Sequence, residues 1–335
     1  MTPENPNTDL TILNGNPINR NGGTGLSESE LQGRHRLFLS AATSDNTRRA
    51  YRSAIRHFQA WGGDLPCEPT LVTRYLLSYA QELNARTLAL RLTALSQWHQ
   101  FQGFADPTAN PDVRKTLRGI ARTHGKPKKK AKALPIEDLE AIVTALQGDS
   151  SLQSIRNKAL LQIAFFGAFR RSEVAALTVE ELMWEPHGLV ITLSRSKSDQ
   201  DGQGIVKAIP YGEPGGICCP VTALKNWLAA AEITSGPIFR RVTRQGMVGT
   251  DSLYAGSIND ILKSCAAIAG LPSMLELSGH SFRRGLATSA HRAGADFKNI
   301  KRQGGWRHDG TVQGYIDDAN QFEENAAGNL LRRKP

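Results

Sequence analysis

From residue 27 to about residue 123, apolar positions recur with a helical period, and no stretch alternates as a half-buried strand would. Within "SDNTRRAYRSAIRHFQAW", Tyr51, Ile55 and Phe58 fall at i, i+4 and i+7, one face of a helix that Ser44 or Asn46 can cap. Arg48, Arg49, Arg52 and Arg56 lie largely off that stripe. Further helices are predicted over 70–83, 86–102 and 112–123, with "GFADPTANP" as the break before the last. This first part, 27–124, reads as a small, basic, all-helical bundle.

The residues before it, 1–26, are rich in Asn, Gly, Thr and Pro and predict a mobile tail. After it, "THGKPKKKAKALP" predicts a solvated linker over 125–134. A second domain is expected over 135–335. There "SIRNKALLQIAFFGAF" is apolar nearly all round, the pattern of a buried helix. "GLVITLSRSKSDQDGQGIVKAIPY" predicts two strands around a polar turn, with Arg195 and Lys197 near its tip. After "GICCPVTALKNWLAAA" helical patterns dominate to the end, where Phe322, Ala326 and Leu330 give "NQFEENAAGNLLRRK" an amphipathic spacing. The expected fold class is mainly α: a helical bundle followed by a mostly helical domain with a small sheet.

Composition narrows the partner. The 335 residues suit two domains, and 41 Lys and Arg against 31 Asp and Glu leave a formal net charge of +10. Such a surface attracts polyanions, nucleic acid before an anionic membrane. Lys126, Lys128, Lys129, Lys130 and Lys132 could lie along a phosphate backbone, or only keep the linker solvated. No apolar run is long enough to span a membrane, and the N-terminus lacks the basic start and apolar stretch of a secretion signal, so the expected location is the bacterial cytosol, at the nucleoid. Cys67, Cys218, Cys219 and Cys265 show no metal-type spacing and read as reduced thiols.

Candidate chemistry clusters in the second domain. "FRRSEVAAL" sets Arg170 and Glu173 at i, i+3, the hairpin carries Lys197, "GHSFR" sets His280 and Arg283 at i, i+3, and Trp306 and Tyr315 follow in "GGW" and "QGYI". Each has an ordinary alternative: a surface ion pair, a solvated tip, a helix cap, a core indole, a packing tyrosine. Together they describe a site for one oxyanion. Two guanidinium forks, an imidazole and an indole N–H can surround a phosphodiester and favour its pentacovalent state, whose equatorial oxygens carry more charge. A tyrosine can then be the nucleophile. It would exchange one phosphoester for another, so religation needs no ATP, no metal and no other cofactor. The leaving hydroxyl needs a proton donor, for which Lys197 is the candidate.

Box by box, this domain resembles the tyrosine recombinases, also called the phage integrase family. Their pattern is R-x-S-E, a hairpin Lys, H-x-x-R, then His or Trp nine residues before the nucleophilic Tyr, and Trp306 and Tyr315 are nine apart. The Trp in "GGW" is similar to Cre-like members. "NTRRAYRSAIRHFQAW" and "ARTLALRLTALSQWHQFQG" resemble the family's helical core-binding domain, so the likeness runs over roughly 28–332.

The resemblance implies that Arg170 and Arg283 clamp the scissile phosphate, His280 and Trp306 complete its shell, Lys197 is the general acid, and Tyr315 attacks to leave a 3′-phosphotyrosyl link. Glu173 would orient this apparatus. Arg171 and Arg284 adjoin the two arginines, and only register chooses between neighbours. Arg48, Arg49, Arg86 and Arg91 would face the major groove, and Lys128, Lys129 and Lys130 the backbone, as the two domains close around a duplex. The C-terminal helix would dock on a neighbouring protomer, joining a tetramer on two inverted-repeat sites, or else cap its own domain. The activity implied is site-specific recombination. The rival readings are a type IB topoisomerase-like enzyme and a DNA-binding accessory protein without catalysis.

Overall fold

The computed structural model describes residues 28–127, 130–193, 204–319 and 326–331. The chain divides between Lys128 and Lys129 into two compact units.

The first unit holds helices α1 (Glu28–Ala41), α2 (Asp45–Ala60), α3 (Pro69–Ser78), α4 (Ala85–Phe101) and α5 (Pro111–His124), with a 3-10 turn at Pro107–Ala109. The starts follow from local chemistry. Ser44 accepts from the Thr47 N–H, Asn84 from Arg86 and Asn110 from Asp112, each cap contributing about 1 kcal/mol. Phe58, Val72, Tyr75, Leu76, Leu88, Leu95 and Val113 interlock at the centre. Helix α3 stops at Ser78, short of the expected 83, and Tyr79 turns its ring onto Tyr75 and His57.

The second unit begins with α6 (Ile136–Ala145), α7 (Leu152–Phe166) and α8 (Arg171–Ala176). Helix α7 is the expected buried one, with Leu160, Leu161, Ile163, Ala164 and Phe165 inside. A three-stranded antiparallel sheet follows in the order β1 (Leu182–Glu185), β2 (Gly188–Leu193), β3 (Ile205–Pro210). The expected hairpin is β2–β3, paired from Gly188 opposite Pro210 to Leu193 opposite Ile205. Strand β1 was not foreseen, because only four residues long it carries too little alternation to register.

Next come α9 (Pro220–Ala230), β4 (Arg240–Val242), β5 (Val248–Ser252), α10 (Ser257–Ile268), α11 (Gly279–Arg292), α12 (Phe297–Gly304), α13 (Asp309–Ala319) and α14 (Ala326–Leu331). Helices dominate from α9 onward, as expected, and the β4–β5 hairpin that interrupts them was not foreseen; both strands are short and mostly polar, so no period announces them. The linker reading is corrected as well over its last residues. Lys132 donates its N–H to Glu276, and Leu134 is fully buried with its N–H on the Ser281 carbonyl. A Cβ at Gly285 would stand 1.9 Å from the Leu134 oxygen, so glycine there lets α11 meet this strand of backbone. One core spans α6, α7, α9, α10 and the sheet, and a smaller one lies under α11–α13, built on Ala287, Ile300, Trp306, Val312 and Ile316.

Candidate active site

The site begins where α7 ends. Gly167 closes the helix, Ala168 takes a left-handed conformation (φ 46°), and the fully buried Phe169 anchors the turn. A non-glycine residue in this region carries strain of about 1 kcal/mol, which the packing on both sides sustains. Arg170 then starts α8 as its N-cap. Its N–H donates to Glu173 Oε2 at 2.8 Å and its guanidinium to Oε1 at 2.5 Å. The pair is therefore no surface i, i+3 contact: Glu173 is 7% exposed. Burial alone would raise its carboxyl, but the Arg170 N–H and guanidinium, with Arg283 beyond, hold it below the ordinary carboxylate range.

Arg283 comes from α11 and is 4% exposed. It donates to the carbonyls of Ala168 and, at 2.9 Å, Gly304, and its guanidinium stacks on Trp306 at 4.6 Å from the ring centre. Burial, then the charge of Arg170, bring its pKa down to about 10, so it stays a cation at neutral pH. His280 lies nearly one turn earlier on the same helix, exposed, just after the Ser278 cap. Helix α12 ends at Gly305 in the left-handed conformation (φ 63°), and a Cβ at Gly304 would meet the Trp306 ring at 1.8 Å. That close approach fixes the indole. Its ring meets the Tyr315 ring edge-on, centres 6.0 Å apart.

The structure also separates the neighbours that register left open. Arg171 is exposed, and its side chain runs past Gly279 at the start of α11. Arg284 is buried on the other side of α11, with its guanidinium 5.1 Å from the Tyr315 ring centre and a 3.1 Å bond to Asp318. Asp318 also takes Lys130 at 2.7 Å, and Lys130 first, then Arg284, hold its carboxyl below the ordinary range. The sequence offered Arg284 only as an alternative to Arg283, and Asp318 was not singled out. Their signal was spacing: Asp318 follows Tyr315 by three on one helix.

A second unforeseen member is Lys207 on β3. It is 2% exposed, donates to the Gln303 carbonyl at 2.6 Å, and lies over the Phe169 ring at 5.1 Å. Burial first, then Arg283, push its pKa down to about 7, against the pull of Glu173. The alternation of "IVKAIP" carried the signal, since Lys207 shares the inward face with Ile205 and Ile209 while Val206 is exposed.

Lys197, Lys128 and Lys129 lie outside the described residues. So does Phe322 of the expected C-terminal helix, of which α14 is the described part. In the first unit, Arg48 and Arg49 contact Asp45 and Asn46 on their own helix, and the exposed Arg86 donates to the Lys126 carbonyl at 3.4 Å. Arg91 is half-buried and donates to the Tyr75 hydroxyl at 2.7 Å. Among the described residues, no three His, Cys, Asp or Glu side chains gather as a metal site, and no helix is long and apolar enough to cross a membrane.

Two guanidinium forks and a buried lysine thus gather around one carboxylate, with an indole stacked on one guanidinium and a tyrosine at its edge. This surplus of positive charge suits a phosphate. The sequence model of the phage integrase family matches residues 132–321, and that of its N-terminal SAM-like domain matches residues 34–102. An integrase/recombinase XerD homolog of Selenomonas ruminantium is 34% identical over 92% of this chain and 94% of its own. The Cre recombinase of Escherichia phage P1 is 28% identical over 82% and 84%. The fold is similar to that of the XerH recombinase bound to a palindromic difH substrate, with a TM-score of 0.57 and 18% identity, over 80% of this chain and 73% of that one. It is also similar to the lambda integrase tetramer bound to a Holliday junction, with a TM-score of 0.55 and 15% identity, over 86% and 76%. A site made of R-x-S-E, H-x-x-R and a tyrosine nine residues past a tryptophan, on this fold and with these relatives, has one conclusion: the chain belongs to the phage integrase family, the tyrosine recombinases.

Proposed function

We propose that this site-specific recombinase cuts DNA with Tyr315 and rejoins it after strand exchange. The observation that carries the reading is the buried Arg283, stacked on the indole that meets the Tyr315 ring and set beside the Arg170–Glu173 pair. Arg170 and Arg283 would hold the non-bridging oxygens, His280 and Trp306 would add donors, and Glu173 would keep Arg170 in place. Attack by the Tyr315 oxygen leaves a 3′-phosphotyrosyl link and a free 5′ hydroxyl, protonated by Lys197. The reverse step, with the partner strand's hydroxyl, completes the exchange.

Double-stranded DNA with inverted-repeat half-sites is the substrate of this reading. Arg48, Arg49, Arg86 and Arg91 would face the groove, Arg91 with the donors that Tyr75 does not use, and the lysines of 128–130 the phosphates. The net charge of +10 supports this. Four copies on two sites are supported by the lambda integrase structure of similar fold, a tetramer on a Holliday junction. The domains we assign are 27–124 for core binding and, since the second unit takes in the end of the expected linker, 129–335 for catalysis, and the place of action is the bacterial cytosol, at the nucleoid.

Tyr315→Phe tests the reading. On a nicked substrate that traps the cleaved state, the parent is expected to give a covalent adduct, and Tyr315→Phe to bind the DNA equally and give none. Covalent capture by the Phe variant sinks the assignment.

A further inference from the structure

The last turn of α12 leaves two carbonyls, Gln303 and Gly304, with no N–H of the helix to accept from, because the backbone reverses at Gly305. Each is met by a buried cation. Lys207 donates to Gln303 at 2.6 Å and Arg283 to Gly304 at 2.9 Å. The Gln303 amide ties the same turn to the Phe166 carbonyl at 2.7 Å and the Ala208 carbonyl at 3.1 Å. The end of α12 is therefore a junction of β3, α7 and α11, and the next residues are Gly305 and Trp306.

Burying a lysine beside two arginines opposes folding. An apolar side chain of the same length would fill this place over the Phe169 ring without desolvating a charge. The ammonium supplies what such a chain cannot. In its protonated form it neutralises the negative end of the α12 dipole where Arg283 is also held, and adds a third cation around Glu173.

We propose that Lys207 is a positioning residue of the phosphate site: from β3 it holds the α12 terminus, and through it Arg283 and Trp306, in the geometry that receives the scissile phosphate. Its route is through the arginine clamp and not the leaving oxygen, so it is distinct from the proton donor assigned to Lys197. The proposal rests on the reading of Tyr315 as nucleophile.

The test uses full-length Lys207→Met, which keeps length and removes charge. It is expected to melt at or above the parent temperature and to bind a half-site as the parent does. Cleavage is expected to slow by about 10- to 100-fold, from misplacement of the clamp. The defect is expected to be equal on ordinary DNA and on DNA whose leaving oxygen is replaced by sulfur, which departs without a proton. Parent-like cleavage by Lys207→Met overturns the proposal, and so does rescue on the sulfur substrate, which would place the lysine at the leaving group. Should the Met variant unfold, Lys207→Arg and Lys207→Gln carry the test. The Arg variant, keeping charge and donor, must cleave faster than the Gln variant, which keeps only a donor, and equal rates overturn it. A parent enzyme that forms no covalent adduct removes the nucleophile reading and this inference together, whereas a normal parent beside a normal Lys207→Met removes this inference alone.

Discussion

Lys207 is a lysine whose charge the fold opposes, and its pH dependence follows from that. The group has an ordinary pKa of about 10.4 in open chain, and burial, then Arg283 and Arg170 against Glu173, bring it to about 7 in the folded protein. A depressed lysine binds fewer protons folded than unfolded. Its contribution to stability is therefore full above the open-chain value, is lost as pH falls toward 7, and is level below that. The melting temperature of Lys207→Met should accordingly gain on the parent as pH is lowered from 10 to 7, with no further gain at pH 6. Thermal melts of both proteins across that range check this, and parallel curves would show that the ammonium is not desolvated. The same residue shows what a pattern can reveal. A lysine on the inward face of β3, with Val206 facing out, breaks the alternation rule where the site lies.

At the scale of elements, α11 works as a two-sided spine. Arg283 leaves it toward Ala168 and Gly304, and the next residue, Arg284, leaves it toward Tyr315 and Asp318. In the proposed reading one side serves the phosphate and the other holds the helix of the nucleophile. Asp318 joins that second side to Lys130, at the start of the second unit. Asp318→Asn weakens both bonds and strips the buried Arg284 of its carboxylate, a change that costs more than the exposed Lys130 pair alone. We expect half-site binding to stay within about two-fold and cleavage to fall by about ten-fold, through a less well placed tyrosine. Single-turnover cleavage beside a gel-shift titration separates the two, and an unchanged cleavage rate would leave the Asp318 pairs structural only.

For the whole molecule the question is assembly. The apolar spacing of Phe322, Ala326 and Leu330 suits a helix that docks on a neighbouring copy, and α14 falls within that stretch. Deleting 320–335 should leave half-site binding intact, because the residues we assign to DNA contact lie upstream. Pairing of two sites and recombination should be lost. Phe322→Ala with Leu330→Ala should reproduce much of that loss, since such interfaces depend on a few apolar anchors. Gel shifts distinguish half-site from paired complexes, and a plasmid assay scores exchange. Full recombination by the truncated protein would show that the segment serves its own domain.

Much of this protein is legible along the chain, where the governing forces are local. The helices of the first unit, the buried α7 and the β2–β3 hairpin follow from periodicity, caps and turns, which depend on neighbours a few residues apart. The candidate residues Arg170, Glu173, His280, Arg283, Trp306 and Tyr315 were picked out along the chain too, by short spacings and by the family pattern that those spacings resemble. The rest depends on contacts between distant segments. That Arg283 and not Arg284 meets the Gly304 carbonyl and Trp306, that Lys207 caps the same helix end, and that Lys130 reaches Asp318 are facts of packing across 21, 96 and 188 residues of chain. No local period encodes a pairing at that distance. Only the folded core, by excluding water from one face of α11 and β3, decides which charges must find each other.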